Sequence, residues 1–289
     1  MGFWRTAYNE TGEIPLDLPL RKGEAPPVEI SYSLLHNKEG QPRFGAGDYM
    51  GPENTASIMN VDHAVECTIL ERVNRFVVAV DIAGKRCRAS INNTGRLEQF
   101  LVPGRKGFCL RPERQGKTDC RLFAVEEPPL AAVIDTQLQM KAFERCLEQG
   151  AIPWLAGHAL KRRTARLGES LIDYLLDHEG KPAYLEVKSA VLRDVAYAMY
   201  PDCPTSRGRK HVRELTALAR SGGNAAILFI AALPGVSAFK PYRAGDPEMY
   251  RLLVEAGRSG VALKAISMAY RPRGSSVCLL NADLPVEIA

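Results

Sequence analysis

The sequence predicts an α/β (α+β) chain in which a small β-barrel precedes an α/β sandwich. Two observations carry that expectation. Short runs of β-formers separated by turn signals recur from Val65 to Val125. Beyond Ile152 strands alternate with helices, and the strand at 224–233 (Asn-Ala-Ala-Ile-Leu-Phe-Ile-Ala-Ala-Leu) is apolar throughout, as a central strand covered on both faces must be.

Residues 1–62 are dense in Gly, Pro, Asn and charge and read as an N-terminal extension, with one strand or helical turn from Ile30 to Leu35. The barrel is expected over 63–136, from strands Glu66–Val73, Phe76–Ile82, Arg86–Ile91, Leu97–Val102, Gly107–Leu110 and Cys120–Val125. Gly84, the Asn92-Asn93-Thr94-Gly95 run and Pro103-Gly104 mark the turns. Strands so closely spaced are most economically an OB-fold-like barrel, which binds oligonucleotides through its faces and loops or serves only as packing. A helical connector follows over 137–151, with Leu138, Ala142, Cys146 and Leu147 as its apolar positions before Gly150. The second domain, 152–289, reads as a helix or turn over 154–163, a β-hairpin over 165–190 and a helix over 206–221. Strand 224–233, helix 246–258, strand 261–271 and a short strand near 277–280 complete it.

The 289 residues are 46% hydrophobic and 25% charged, which suits two domains that each bury a core. Net charge is +5, and the cations cluster: Lys161-Arg162-Arg163 and Arg166, then Arg207, Arg209, Lys210 and Arg213. Such clustering suggests a polyanionic partner, a solvated face being the plain alternative. Seven cysteines without Cys-x-x-Cys spacing argue against a zinc site or a disulfide framework, and for reduced thiols in a cytoplasm. No run of about 18 apolar residues and no signal segment is found, which argues against a membrane protein.

The chemistry concentrates in the predicted hairpin. Asp173 lies thirteen residues ahead of Glu186-Val187-Lys188, and His178-Glu179-Gly180-Lys181 is the turn between them. Side chains alternate along a strand, so Glu186 and Lys188 share a face, and antiparallel pairing brings Asp173 near Glu186. Two carboxylates held together repel unless a cation or a proton lies between them. Mg²⁺, octahedral and oxygen-seeking, is the natural occupant, with the Val187 carbonyl as a third ligand. A solvated Glu–Lys pair on the wet face of a sheet is the structural alternative.

Several stretches resemble the sugar fermentation stimulation protein family. They are Asn74-Arg75-Phe76-Val77, Asn93-Thr94-Gly95-Arg96, Pro103-Gly104 and Tyr184-Leu-Glu-Val-Lys-Ser189, and above all the block from Tyr200 to Leu215. The resemblance covers residues 65–285 and implies an OB-fold-like domain followed by a PD-(D/E)XK nuclease-like domain associated with DNA binding. It implies that Asp173 and Glu186 hold Mg²⁺ while Lys188 orients water or neutralises charge on the phosphate. It further implies that Arg207, Arg209, Lys210 and His211 on the 206–221 helix meet a nucleic-acid backbone with little sequence specificity. Arg75, Asn93 and Arg96, polar residues at strand starts and loops of the barrel, are expected to track the same backbone, plain turn chemistry at Asn93-Thr94-Gly95 being the alternative. Asp202, ahead of that helix, reads as structural.

The chain also departs from the family pattern. Thr164 stands where a glutamate is usual, Glu169 and Leu171 where arginines are, Ser90 for a histidine and Met140 for an asparagine. Glu169 cannot replace the missing glutamate, because four residues along a strand span about 13 Å. The implied functions are therefore a weak Mg²⁺-dependent nuclease or a non-catalytic DNA-binding regulator of carbohydrate metabolism with a vestigial site. A small-molecule nucleotide binder using the same cation site is the third.

Overall fold

The computed structural model describes residues 55–111 and 116–288. The expected element at 30–35 lies outside the described residues, with the rest of 1–54. The described chain opens with β1 (Ser57–Asn60), so the end of the expected extension is a strand, and its partner comes from the far C-terminus.

Five strands form the barrel: β2 (Ala64–Asn74), β3 (Val77–Ile82), β4 (Lys85–Ser90), β5 (Lys106–Leu110) and β6 (Cys120–Glu127). Alternation drives it: along β2, Cys67 and Ile69 are buried while Thr68 is exposed. The strands β2, β3 and β4 form a meander, β5 returns to β2, β6 pairs with β5, and a parallel pairing of β4 with β6 closes the ring. Taken from β2, the circular order is first, second, third, fifth, fourth, the expected OB-like barrel. Leu97–Val102, expected as a strand, is instead a turn, in which Phe100 and Leu101 donate N–H groups to the Leu97 carbonyl. Leu97, Phe100 and Leu101 are still buried in the common core. A short apolar run signals burial, and a turn satisfies it as well as a strand does.

From the barrel, β7 (Leu130–Val133) carries the chain into the α/β part, where α1 (Thr136–Glu148) begins with the Asp135 carboxylate accepting the Leu138 N–H. The helix α1 was expected as a connector; it packs against β1 and β7 and belongs to the α/β layers. Next come a single 3-10 turn (Pro153–Leu155), β8 (Ala159–Leu167), β9 (Ser170–His178) and β10 (Lys181–Ser189). The expected hairpin forms from β9 and β10 and is extended by β8 into a three-stranded meander, so residues 159–163 are strand rather than helix. Lys161, Arg162 and Arg163 hid β8 from pattern reading. It is an edge strand, and edge strands carry charge that discourages further pairing.

Two short strands unanticipated by pattern, β11 (Leu192–Asp194) and β12 (Tyr197–Tyr200), lead to α2 (Ser206–Arg220). The strand β13 (Asn224–Ala231) lies between β10 and β15 (Ala262–Arg271), parallel to both, and every residue from Ile227 to Ala231 is fully buried. Between them β14 (Ala238–Pro241) joins β12 and β11 in a small second sheet, and α3 (Pro247–Arg258) packs on α2. Finally β16 (Ser276–Leu284) pairs with β15 and β1. One continuous sheet thus runs from the barrel through β6, β7, β15, β13, β10 and β9 to β8. All seven cysteines are free thiols, and no helix among the described residues is long and apolar enough to cross a membrane.

The two outer helices are joined by a buried ion pair. Asp246, the N-cap of α3, is fully buried, and its carboxylate accepts from Thr205 N, Met249 N and the Arg209 guanidinium. Burial works against its charge, but Arg209 and the two backbone donors hold its pKa below the usual carboxylate range. Asp246→Ala is expected to lower stability by about 2–4 kcal/mol in urea unfolding at pH 7, since it orphans two N–H groups and leaves Arg209 with Glu248 alone. The sign follows from the depressed pKa: the Asp246 contribution is present above the ordinary carboxylate range and is lost as pH falls below it. The gap between wild type and variant should therefore close in acid.

Candidate active site

Antiparallel register places the two carboxylates together. Leu185 pairs with Tyr174, so the next step along the ladder sets Glu186 opposite Asp173. There the side chains replace the backbone ladder. Val187 N–H donates to Asp173 Oδ2 at 2.9 Å, and Asp173 N–H donates to Glu186 Oε2 at 3.3 Å. Lys188, two residues on and hence on the same face, donates its Nζ to Glu186 Oε1. Neighbouring Tyr174 points through the opposite face, where it packs on Phe143 and donates to Glu144 of α1. The acidic pair and the lysine therefore converge as the alternation requires.

Helix α2 closes this face. His211 is buried, and its Nδ1 lies 2.6 Å from Glu186 Oε1, while Arg207 Nε approaches His211 Nε2 at 3.4 Å. With an arginine donating to Nε2, the ring carries its proton on Nδ1 and donates to Glu186. Glu186 is 2% exposed. Burial opposes its charge, yet Lys188 and His211 together keep its pKa below the normal value. Asp173 differs: burial, followed by the charge of Glu186, pushes its pKa up to about 6. Burial likewise opposes the Lys188 charge, and Glu186 outweighs it, so the ammonium is held. Tyr200 sits within electrostatic reach of both Lys188 and Glu186, its phenol pushed up by burial.

The remaining expected residues separate into two groups. Arg209 turns to α3, pairing with Asp246 and Glu248, and the buried His211 serves Glu186. Neither is placed to meet a phosphate, because Gly208, His211, Val212 and Leu215 form the inward face of α2. Lys210 is exposed and paired with Glu169. Arg207 is exposed above the site.

On the barrel, Arg75 and Arg96 are exposed, whereas Asn93 is buried. Its Oδ1 accepts the Gly95 N–H, and its amide lies 3.5 Å from Ser189 Oγ. Asp202 accepts the Leu97 N–H and lies so close to Gly95 that a Cβ there would stand 2.5 Å from its Oδ2. The expected structural role of Asp202 is thus a clasp between barrel and sandwich, and Gly95 permits it. Between Asn93, Thr94, Ser189, Tyr200 and Thr205 a cavity of about 150 Å³ opens. His211 as an anchor of Glu186 and Tyr200 as a wall were not anticipated; both reach the site through α2 and the small sheet, which local pattern does not place. Thr164 and Leu171 are exposed, Ser90 Oγ donates to the Cys120 carbonyl, and Met140 packs on the core.

Comparison with known proteins accounts for both halves. Residues 70–134 match the SfsA N-terminal OB domain, and residues 137–274 match the sugar fermentation stimulation protein RE domain. A sugar fermentation stimulation protein homolog of Pyrococcus furiosus is 46% identical over 231 residues, covering 80% of this chain and 99% of the relative. A homolog from Archaeoglobus fulgidus is 46% identical with the same coverage. The solved structure of Pyrococcus furiosus SfsA in complex with Ca²⁺ superimposes with a TM-score of 0.77 at 45% identity, over 81% of this chain and 100% of that one. With an OB-like barrel continued into an α/β sandwich, and with these relatives matched along almost their full length, the chain belongs to the sugar fermentation stimulation protein family.

Proposed function

We propose that this chain is a cytoplasmic DNA-binding protein whose Asp173–Glu186–Lys188 cluster hydrolyses phosphodiester bonds weakly with Mg²⁺. The observation that carries the reading is the apposed pair of carboxylates: Asp173 is held against an ionised Glu186, and burial first and that neighbour's charge second oppose its ionisation. A divalent cation relieves such repulsion. The donors suit Mg²⁺, being two carboxylates with the Val187 carbonyl on the strand edge that already presents its N–H to Asp173. When bound, the ion supplies Lewis acidity toward a phosphoryl oxygen. Lys188 neutralises negative charge arriving beside Glu186, and His211 fixes the orientation of that carboxylate. Exposed Arg75, Arg96 and Arg207 supply phosphate contacts along the same side.

A second reading, the DNA-binding regulator of carbohydrate metabolism with a vestigial site, is favoured by one feature. Lys188 and His211 already occupy Glu186 Oε1, which leaves that oxygen without an open lone pair for a cation.

Linear duplex and single-stranded DNA, incubated with Mg²⁺ or Mn²⁺, separate the two. Cleavage reduced about 100-fold or more in Glu186→Ala supports the enzyme. Salt-sensitive binding with no cleavage by either protein supports the regulator. For binding itself, three phosphate contacts predict a roughly 40-fold loss of duplex affinity between 50 and 200 mM salt. A flat response removes both readings.

The raised Asp173 pKa gives a further check on the metal-free protein. A folded pKa of about 6 exceeds the unfolded one, so the native state binds more protons and stability falls as pH rises from about 4 to about 6. Asp173→Asn keeps an acceptor for Val187 N–H and removes the charge. In chelator it should be more stable than wild type at pH 7.5 by about 1–3 kcal/mol, with the two converging at pH 4. Equal stability at both pH values would refute the raised Asp173 pKa.

A further inference from the structure

The hairpin between β2 and β3 displays an aromatic ring where a packed barrel has no use for one. Phe76 is 54% exposed and neighbouring Val73 is 51% exposed. The Arg75 guanidinium lies 5.7 Å from the Phe76 ring centroid. Arg72 holds this hairpin in place. Its guanidinium donates to the carbonyls of Asn74 and Arg75 on one loop, and of Gly95 and Arg96 on the other. Asn74 Oδ1 in turn accepts the Phe76 N–H, so the ring stands on a braced turn. Among the described residues no carboxylate forms a salt bridge with Arg75 or Arg96.

The patch continues toward the carboxylate cluster. Gly95 and Leu97 abut Asp202, and Asn93 lies beside Ser189, the residue after Lys188. Burial and Asp202 raise the Cys203 thiol pKa while Arg96 and Arg75 pull it down, so both arginines lie within electrostatic range of the loop ahead of α2.

We infer that Phe76, with Arg75 over its ring and Arg96 on the loop clasped to it, is a stacking platform for an unpaired base, and that the nucleic acid crossing from barrel to carboxylates is single-stranded. An exposed phenyl ring offers nothing to a phosphate. It stacks on any base whose face is free, and in a duplex those faces are covered by neighbouring base pairs, which must first be unstacked. Unpaired cations beside the ring hold the backbone, and the guanidinium adds a cation–π contact. This inference rests on the nucleic-acid reading above and narrows its substrate class.

The test uses the whole chain in chelator, with a fluorescein-labelled oligothymidylate and a blunt duplex of equal length, followed by anisotropy. Phe76→Ala should weaken single-strand binding about tenfold, keep the duplex within about twofold, and leave the salt slope unchanged because no charge is removed. Phe76→Trp should retain single-strand affinity. A Phe76→Ala protein that binds the single strand like wild type, or that loses both DNAs equally, overturns the platform while the proposed function stands. Wild type without salt-sensitive affinity for either DNA overturns the nucleic-acid reading and the platform with it.

Discussion

A charged carboxylate with almost no access to water is the constraint on which this site depends. Glu186 stays ionised only because Lys188, His211 and the Asp173 N–H converge on it. Each partner comes from a different structural decision: Lys188 from strand alternation, Asp173 from the β9–β10 register, and His211 from the way α2 lies across the sheet. A one-residue slip in β9 would turn Asp173 toward α1 and bring Tyr174 to the acid. The polar cluster therefore specifies the register as strongly as the apolar core does.

Helix α2 lies across the sheet at this point because its two sides are held differently. Val212 and Leu215 are buried in the core, while Arg209 reaches outward to the buried Asp246 and Glu248 of α3. That outer clasp sets the helix so that Arg207 and His211, one turn apart, face the carboxylates. Cations that look alike in the sequence thus do different work, Arg209 anchoring one helix to another and Arg207 remaining exposed above the acid pair.

The barrel is part of the same arrangement. Its closed strand order leaves the Asn93–Leu97 turn against Asp202 and Ser189, and Arg72 ties that turn to the Phe76 hairpin. Because β6 and β7 run directly into β15, the barrel is continuous with the central sheet. The ring, the free arginines and the carboxylates consequently occupy one connected region of the molecule.

What the sequence determined by itself was local and periodic. Alternation along Tyr184–Ser189, a turn at His178–Lys181 and an apolar run at 224–233 were enough for the hairpin, the central strand and the meeting of Asp173, Glu186 and Lys188, since each depends on chain neighbours within a few turns or one reversal. The barrel was legible for the same reason, except at Leu97–Val102, where an apolar run was equally content as a turn. Tertiary structure decided the rest. Residues 159–163, with the cations Lys161, Arg162 and Arg163, became part of an edge strand only because β9 offered a partner, and the small sheet formed only where β14 returned beside β12. Whether Arg209 or Arg207 meets solvent, whether His211 meets phosphate or Glu186, and whether Phe76 packs or stands exposed depend on what lies against each side chain. Burial is a property of the assembled layers, and no spacing within one segment encodes it.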